Sequence, residues 1–345
     1  PFGEELLDVR RRLLEFPERT QLNESEVTRF SAVVEGLYDT WNWDAAYNWS
    51  RSEASEVTRG IVNADRLRRA IGPADNCLGT TIDGCQAVNI TGPLGSLTPE
   101  QADYISATGE VSGYSKLSSI SFNVSNAFEL LAAGRSDLAL GLEHRMESTS
   151  KRPSALLATT NTIGATNFEA TSGSRDVSEF YFEALQPMWK SEDGLSSFHL
   201  EAAIRFSDYN DVGSTTNPKL ALRLQLGASV LLRANYAEGF RAPSLNELYE
   251  GNTETQAFIN DPCTQPQNVG SLPGCTALAD DTRNQFLTVS GGNQDLKPET
   301  SESFSVGIVW TPAGVKGLAL SADYFHIDQQ DVISSSAQFI VNQNA

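Results

Sequence analysis

The sequence predicts an all-β fold, an antiparallel transmembrane β-barrel of which this chain supplies a part. Three observations support this fold class. Apolar and polar residues alternate with period two in many segments, which indicates strands with two unlike faces. Short and long connections follow one another along the chain, as at the two rims of an outer-membrane barrel. No run of about 18 apolar residues, the length of a transmembrane helix, is present.

The composition is compatible with such a barrel and excludes other classes. The chain has 345 residues and a formal net charge of -19, so it lacks the excess of Lys and Arg that neutralises nucleic-acid phosphates. Polar strand faces and long loops lower the average hydrophobicity of a β-barrel. A mean hydropathy of -0.29 therefore does not exclude a membrane location.

The four cysteines form two local pairs, Cys77 with Cys85 and Cys263 with Cys275. Both pairs lie in polar stretches rich in Gly, Pro, Asn and Asp, with no nearby histidine and no C-x-x-C, which disfavours zinc. We expect two disulfides that clamp long loops in an oxidising compartment. Four free thiols in a cytosolic protein are the alternative.

The first elements form a hairpin. Residues Glu5–Phe16 fit either a helix or a strand. Val27–Tyr38 alternates as a strand, and Asp39-Thr40 makes a short joint. The aromatic run Trp41–Trp49 alternates again and returns as the second strand. Aromatic residues near strand ends fit the interfacial girdles of a barrel.

A long irregular stretch over Arg51–Gly109 separates this hairpin from the next strand. It carries two helix starts. The first follows Asn63, and the second lies at Thr98, where a threonine cap is followed by a first-turn proline and by Gln101.

The middle of the chain continues the alternation. Val111–Val124 is a predicted strand, and Phe128–Arg135 is either a helical turn or a tight connection. Leu138–Arg145 alternates, a polar loop covers Ser148–Ser174, and Val177–Leu185 alternates again.

The C-terminal part contains the clearest strands. After a short link over residues 190–196, Phe198–Ser207 alternates without interruption, and a loop of medium length follows at Asp208–Thr216. Lys219–Tyr236 reads as a hairpin that turns at Gly227-Ala228. A third long loop over Gly239–Pro298 precedes a last hairpin, Phe304–Tyr324, which turns near residue 312. The total is about eleven or twelve strands of ~10 residues each.

The sequence contains no evident catalytic constellation. His144, His199 and His326 are far apart in sequence, and we expect each to lie singly on a strand rather than in a metal site. Neither a Gly-rich phosphate loop nor a G-x-S-x-G or H-E-x-x-H motif is present. We therefore expect neither enzymatic activity nor a cofactor.

Several segments together resemble the barrel of TonB-dependent outer-membrane receptors. The most specific combination is FRAPS, then LNELY, then N-x-x-L-K-P-E-T-S. The resemblance is dense from Thr171 onward and weaker over Phe30–Tyr47. The matching motif residues are Phe240, Arg241, Ala242, Pro243, Asn246, Glu247, Leu248, Tyr249, Asn293, Leu296, Lys297, Pro298 and Glu299.

The resemblance implies that residues 1–345 are a fragment of one barrel domain, with about half of an expected ~22 strands and without its plug domain. It implies the bacterial outer membrane as location, with membrane lipid, a plug domain and the TonB protein as partners. The implied function is energised uptake of a siderophore, cobalamin, haem or a glycan, first met by the long loops. A non-transporting adhesin or glycan-binding protein is the alternative, and an outer-membrane hydrolase is a third hypothesis.

Charged residues recur on the polar face of the alternating strands. An arginine on the lipid side would cost ~2–4 kcal/mol at the bilayer midplane, so these residues should face the lumen. We expect most of them to pair with one another or with the plug rather than with a ligand. The predicted lumen-facing residues are Glu143, Arg145, Glu179, Glu183, Glu201, Arg205, Lys219, Arg223 and Arg233.

Overall fold

The structure is a computed structural model, and it describes residues 11–72, 77, 84–159, 162–278, 285–334 and 336–344. Antiparallel strands dominate it. The strands are β1 (Thr20–Tyr38), β2 (Trp41–Asn63), β3 (Ser106–Leu131), β4 (Gly134–Pro153), β5 (Thr162–Ile163), β6 (Thr171–Lys190), β7 (Ser197–Tyr209), β8 (Gly213–Leu226), β9 (Val230–Arg241), β10 (Thr253–Phe258), β11 (Gln285–Ser290), β12 (Glu299–Trp310) and β13 (Leu320–Gln330).

The main sheet has 11 strands and follows the chain in the order β1-β2-β3-β4-β6-β7-β8-β9-β12-β13, with the short β5 pairing to β2. A separate hairpin joins β10 to β11. Every neighbouring pair is antiparallel, which confirms the predicted all-β antiparallel fold. Within the described residues β1 and β13 do not pair with each other, so this segment of barrel is open.

The described residues include four α-helices: α1 (Ala64–Ile71), α2 (Pro99–Ile105) and α3 (Leu245–Tyr249) lie in connections between strands, and α4 (Ala337–Asn344) follows β13. Both predicted helix starts are confirmed. The Asn63 side chain accepts from the backbone at the start of α1, and Thr98 forms a reciprocal capping box with Gln101 at α2. No helix in the described part of the chain is long and apolar enough to cross a membrane.

A small hydrophobic core lies in the β2–β3 connection. It consists of Ala70, Val88, Leu97, Tyr104 and Ile105. Phe16, from the segment predicted as either helix or strand, packs against this core, and residues 14–16 form a turn. The first six residues of that segment lie outside the described residues. Both predicted disulfides are present: Cys77–Cys85 lies in this β2–β3 connection, and Cys263–Cys275 lies between β10 and β11.

Several strands are longer than the sequence predicted. β2 continues to Asn63 and β3 begins at Ser106, so the irregular stretch expected over 51–109 is limited to residues 64–105. Likewise β4 extends to Pro153 and β6 begins at Thr171, which shortens the predicted polar loop over 148–174. Most residues of these extensions are polar, and the apolar residues of β2 do not recur at every second position, so no sustained alternation marked them as strand.

Two connections also differ from the predictions. The medium loop expected at 208–216 is wrong, because β7 reaches Tyr209 and β8 begins at Gly213. Gly213 has a φ of 83°, which favours glycine in this tight turn. The Phe128–Arg135 segment is a tight connection rather than a helical turn, since β3 runs to Leu131 and β4 starts at Gly134.

The two faces of the sheet differ in chemistry. On what we call the apolar face, Phe180, Ile204 and Leu220 are 41–45% exposed. On the opposite face, called the polar face, Glu179 is 7% exposed and Ser207 is 3% exposed. The predicted alternation is confirmed in β7, and the hairpin predicted over 219–236 is confirmed as β8 and β9.

Candidate functional site

The polar face carries a network of ion pairs across neighbouring strands. Seven of the nine residues predicted to face the lumen have an ion-pair partner on this face. The seven are Glu143, Arg145, Glu179, Glu201, Arg205, Lys219 and Arg233. The expectation that most of these side chains pair with one another agrees with this geometry.

Glu179 on β6 is the centre of the network. Its carboxylate accepts hydrogen bonds from the Arg205 guanidinium at 2.6 Å and from the Ser207 hydroxyl at 2.6 Å. The Arg145 guanidinium lies 3.5 Å away and also contacts the Glu147 carboxylate at 2.6 Å. A buried carboxylate is stable only when such donors replace its water, so this cluster holds β4, β6 and β7 in fixed register.

Outside this centre the pairs are more exposed. Lys219 on β8 bonds Glu201 on β7, and the Arg233 guanidinium donates to both Asp323 oxygens, at 2.9 and 2.7 Å. Glu183 and Arg223, the other two predicted residues, have no ion-pair partner in the part of the chain that the structure describes. The polar face is therefore largely, but not fully, neutralised by its own side chains.

Two glycines let long side chains cross the polar face. Tyr181 on β6 lies over Gly141 on β4 and donates to Asn123 on β3, so a Cβ at position 141 would collide with the Tyr181 ring. Gly307 on β12 gives the same room to the pair formed by Arg233 and Asp323. A glycine inside a strand commonly marks such a close approach.

The FRAPS–LNELY motif places the β9–β12 connection against the first residues of β6. Ser244 caps α3 with a capping box to Glu247, and Leu248 is 2% exposed. The Tyr249 ring of α3 lies on Gly173 of β6, and the Gly251 N–H donates to the Thr171 hydroxyl at 3.1 Å. The motif thus seats a helix on the polar face.

Arg175 on β6 stabilises this packing through two further contacts. Its guanidinium donates to the Asp211 carboxylate at 2.8 Å and to the Pro243 carbonyl at 2.7 Å. The side chains of Arg175 and Asp211 are only 4% and 8% exposed. This one residue therefore ties β6 to both the β7–β8 turn and the loop that leads into α3.

The two halves of the sequence motif meet in the structure. Arg241 at the end of β9 donates to Glu247 on α3 and to Glu299 at the start of β12. The Asn293 N–H donates to the Glu247 carbonyl at 2.8 Å. Hydrogen bonds from Arg241, and then from the backbone of Ser244, hold the pKa of the Glu247 carboxyl below its usual value of 4.5.

The remaining motif residues surround these contacts. Phe240 is the penultimate residue of β9, Pro243 is fully buried, and residues 296–298 lead directly into β12. Sequence analysis did not single out Arg175, Asp211 or the crossing glycines. The glycines inside otherwise alternating strands were the available signal for the crossings.

A cleft of about 470 Å³ lies between β1–β4 and α3. Its lining includes Ser52, Ser115, Thr149 and Lys151 from the strands and Asn246 from α3. These side chains are mostly small and uncharged, in contrast to the ion-pair network beside them. Among the described residues, no group of three His, Cys, Asp or Glu could hold a metal ion.

Comparison with known proteins gives one family. The chain matches the family described as TonB dependent receptor-like, beta-barrel over residues 8–345. No curated protein matches it.

Solved structures give matches of low identity. A mutant of the ferric enterobactin receptor PfeA from Pseudomonas aeruginosa is 17% identical, with a TM-score of 0.49, over 89% of this chain and 35% of that one. The siderophore receptor PirA from Acinetobacter baumannii is 16% identical, with a TM-score of 0.47, over 90% and 35%. The RagAB peptide transporter is 12% identical, with a TM-score of 0.50, over 90% and 31%. The chain thus spans about a third of each of these proteins.

Proposed function

Because the chain belongs to the TonB-dependent receptor β-barrel family, we propose that it forms part of an outer-membrane receptor for uptake of a scarce ligand. Members of this family are receptors and transporters rather than enzymes. The apolar face would contact lipid, and the polar face would line a lumen. A plug domain would fill that lumen, and the TonB protein would supply energy for ligand release. The ligand would be a siderophore, cobalamin, haem or a glycan.

One observation carries this proposal: the apolar belt runs obliquely across the strands. On β9 the apolar face ends at Tyr236, after which Glu238 follows on that face. On β3 it ends at Ile120, after which Ser118 and Lys116 follow. The row of directly paired residues that starts at Tyr236 does not reach Ile120 but runs through Leu220, Ala202, Ala184, Leu138 and Asn126.

The slope of the belt corresponds to the tilt of membrane strands. Asn126 and Ile120 are about six residues apart on β3, or ~20 Å at ~3.3 Å per residue. The row crosses about five strand spacings of ~4.8 Å, or ~24 Å. The ratio gives a tilt of about 40°, within the ~35–45° of outer-membrane barrels. A flat bilayer would require this offset, whereas the core of a soluble sandwich would not.

The two ends of the belt support the same orientation. Trp41, Trp189 and Trp310 lie at the strand ends next to short turns, where a barrel has its periplasmic aromatic girdle. The long connections lie at the opposite end, where a ligand would first be met.

A fluorescence experiment tests the proposed lipid contact. Neighbouring residues of β7 would be replaced singly in the complete receptor, as Ile204→Cys on the apolar face and Ala203→Cys on the polar face. Each would carry a bimane label and be refolded into lipid brominated on its acyl chains. We expect strong quenching at position 204 and little at position 203.

Equal quenching at both positions would contradict the proposed orientation. If the complete protein folds as a monomer without detergent and neither label is quenched, the adhesin or glycan-binding alternative is favoured. The transport claim needs its own assay. Uptake of ferric siderophores, cobalamin, haem and oligosaccharides would be compared in cells with and without TonB. We expect uptake of one of them to be lost without TonB while its binding remains.

A further inference from the structure

Arg223 is an unneutralised cation on the polar face of β8. In register it lies between His199 on β7 and Arg233 on β9. Like charges directly opposite each other on paired strands are destabilising. Each of the other predicted cations on this face has a carboxylate partner, but Arg223 has none among the described residues.

The neighbouring carboxylates are already engaged. Arg233 occupies both oxygens of Asp323, and Lys219 binds Glu201. Glu183 lies two strands away and its row meets β8 at Lys219, so it is ~16 Å from Arg223 along the sheet. No described carboxylate of the sheet pairs with Arg223, which leaves its guanidinium available to an anion from outside the sheet.

The position of Arg223 along its strand indicates the source of that anion. Arg223 lies three residues before Leu226, the last residue of β8, or ~10 Å from the short turn. The other end of β8, at Gly213, is ~33 Å away on the side of the long connections. A ligand captured by the long loops would rest far from Arg223, whereas a domain that seals the lumen would reach it.

We propose that Arg223 receives a carboxylate from the polypeptide domain that fills the lumen, and that this contact helps to seal the short-turn end. The inference rests on the proposed function, because it requires the polar face to enclose a lumen. A guanidinium offers two parallel N–H donors to a carboxylate, and exclusion of water by the docked domain would strengthen the pair.

The test uses the complete receptor in outer membranes. Arg223→Glu reverses the charge, Arg223→Gln removes it and Arg223→Lys keeps it. Lys316→Glu is the matched control, because Lys316 is an exposed cation in the β12–β13 turn at the same end of the strands. The readouts are passive entry of a large antibiotic into cells and conductance in planar bilayers, and ligand affinity is measured separately. Heat-modifiable migration shows that each variant has folded.

We expect a several-fold increase in leak for R223E, a smaller one for R223Q, and wild-type leak for R223K and K316E. Replacement of one acidic residue of the lumen-filling domain by lysine should restore the seal in R223E. A folded R223E receptor with wild-type leak would overturn the docking contact, as would a loss of ligand affinity with an intact seal. Absence of the wild-type receptor from the outer membrane would instead contradict the proposed function.

Discussion

The first five long strands and the last five differ in height. β1–β4 and β6 contain 19 to 26 residues, whereas β7–β9, β12 and β13 contain 11 to 14. About 9–11 tilted residues suffice to cross a bilayer, so the second group is close to the minimum and the first exceeds it. The excess lies at the end of the long connections, because the other ends of these strands meet at the β1–β2, β3–β4 and β6–β7 turns.

We call the first group, β1–β4 and β6, the tall strands and the second group, β7–β9, β12 and β13, the low strands. Connections between low strands pack against a tall strand. In the β9–β12 connection, α3 packs against the first residues of β6, near Thr171 and Gly173. Arg175 on that tall strand binds both Asp211 and Pro243, which belong to connections between low strands. The comparison teaches that the extra length of a tall strand, β6, positions the connections that join the low strands.

Removal of Arg175 should have the largest effect. Arg175→Met leaves the buried Asp211 carboxylate without its partner, and the loss of one member of a buried ion pair costs ~3–5 kcal/mol. The free energy of unfolding of the complete receptor in lipid, followed by urea titration and gel mobility, measures this loss. Arg233→Met is the control, because the Arg233–Asp323 pair is exposed to solvent and its loss should change the free energy of unfolding far less than the loss of the buried pair. Equal losses in the two variants would contradict the supporting role of Arg175.

The crossing glycines should give an intermediate effect that differs between the two groups of strands. Gly141→Ala in tall β4 forces the Tyr181 ring off β4 and breaks its bond to Asn123, which we expect to cost ~1–3 kcal/mol. Gly307→Ala in low β12 displaces only an exposed ion pair, so it should destabilise the receptor less than Gly141→Ala does. The same urea titration ranks the two, and the reverse order would refute the interpretation.

Acid should release α3 from the tall strands with the smallest effect. The folded pKa of Glu247 is lowered from its usual value of 4.5, mainly by the hydrogen bonds from Arg241. Its stabilising contribution is therefore present above the unfolded pKa and is lost as the pH falls through the folded pKa. We expect pulsed pepsin to cleave the 242–298 connection faster at pH 3 than at pH 4.5, after correction for pepsin activity.

Glu247→Gln is the control for this pH dependence. The amide cannot titrate, so cleavage in this variant should change little over the same interval. An unchanged pH response in Glu247→Gln would assign the effect to another group.

The elements that alternate strictly could be predicted from the sequence, and those that are polar on both sides could not. β7 was predicted almost to its ends, over Phe198–Ser207, because every second residue of this segment is apolar. The part of β2 beyond Arg51 was predicted as irregular, although it is a strand paired to β1 and, with one bulge between Arg59 and Ile61, to β3. Its pairing depends on backbone hydrogen bonds with the neighbouring strands, and the pattern of side-chain polarity does not reveal these bonds.

By itself, the sequence determined which side of β7, β8 and β9 is apolar, where α1 and α2 begin, and which cysteines pair. These properties are local, because they depend on side chains a few residues apart along one strand, one cap or one loop. Only the tertiary structure decided that Arg175 binds Asp211 and Pro243, which are 36 and 68 residues away along the chain, and that Tyr181 crosses Gly141. Such contacts depend on the register of strands and the path of connections, and residues so far apart in sequence come together only when the whole sheet has formed.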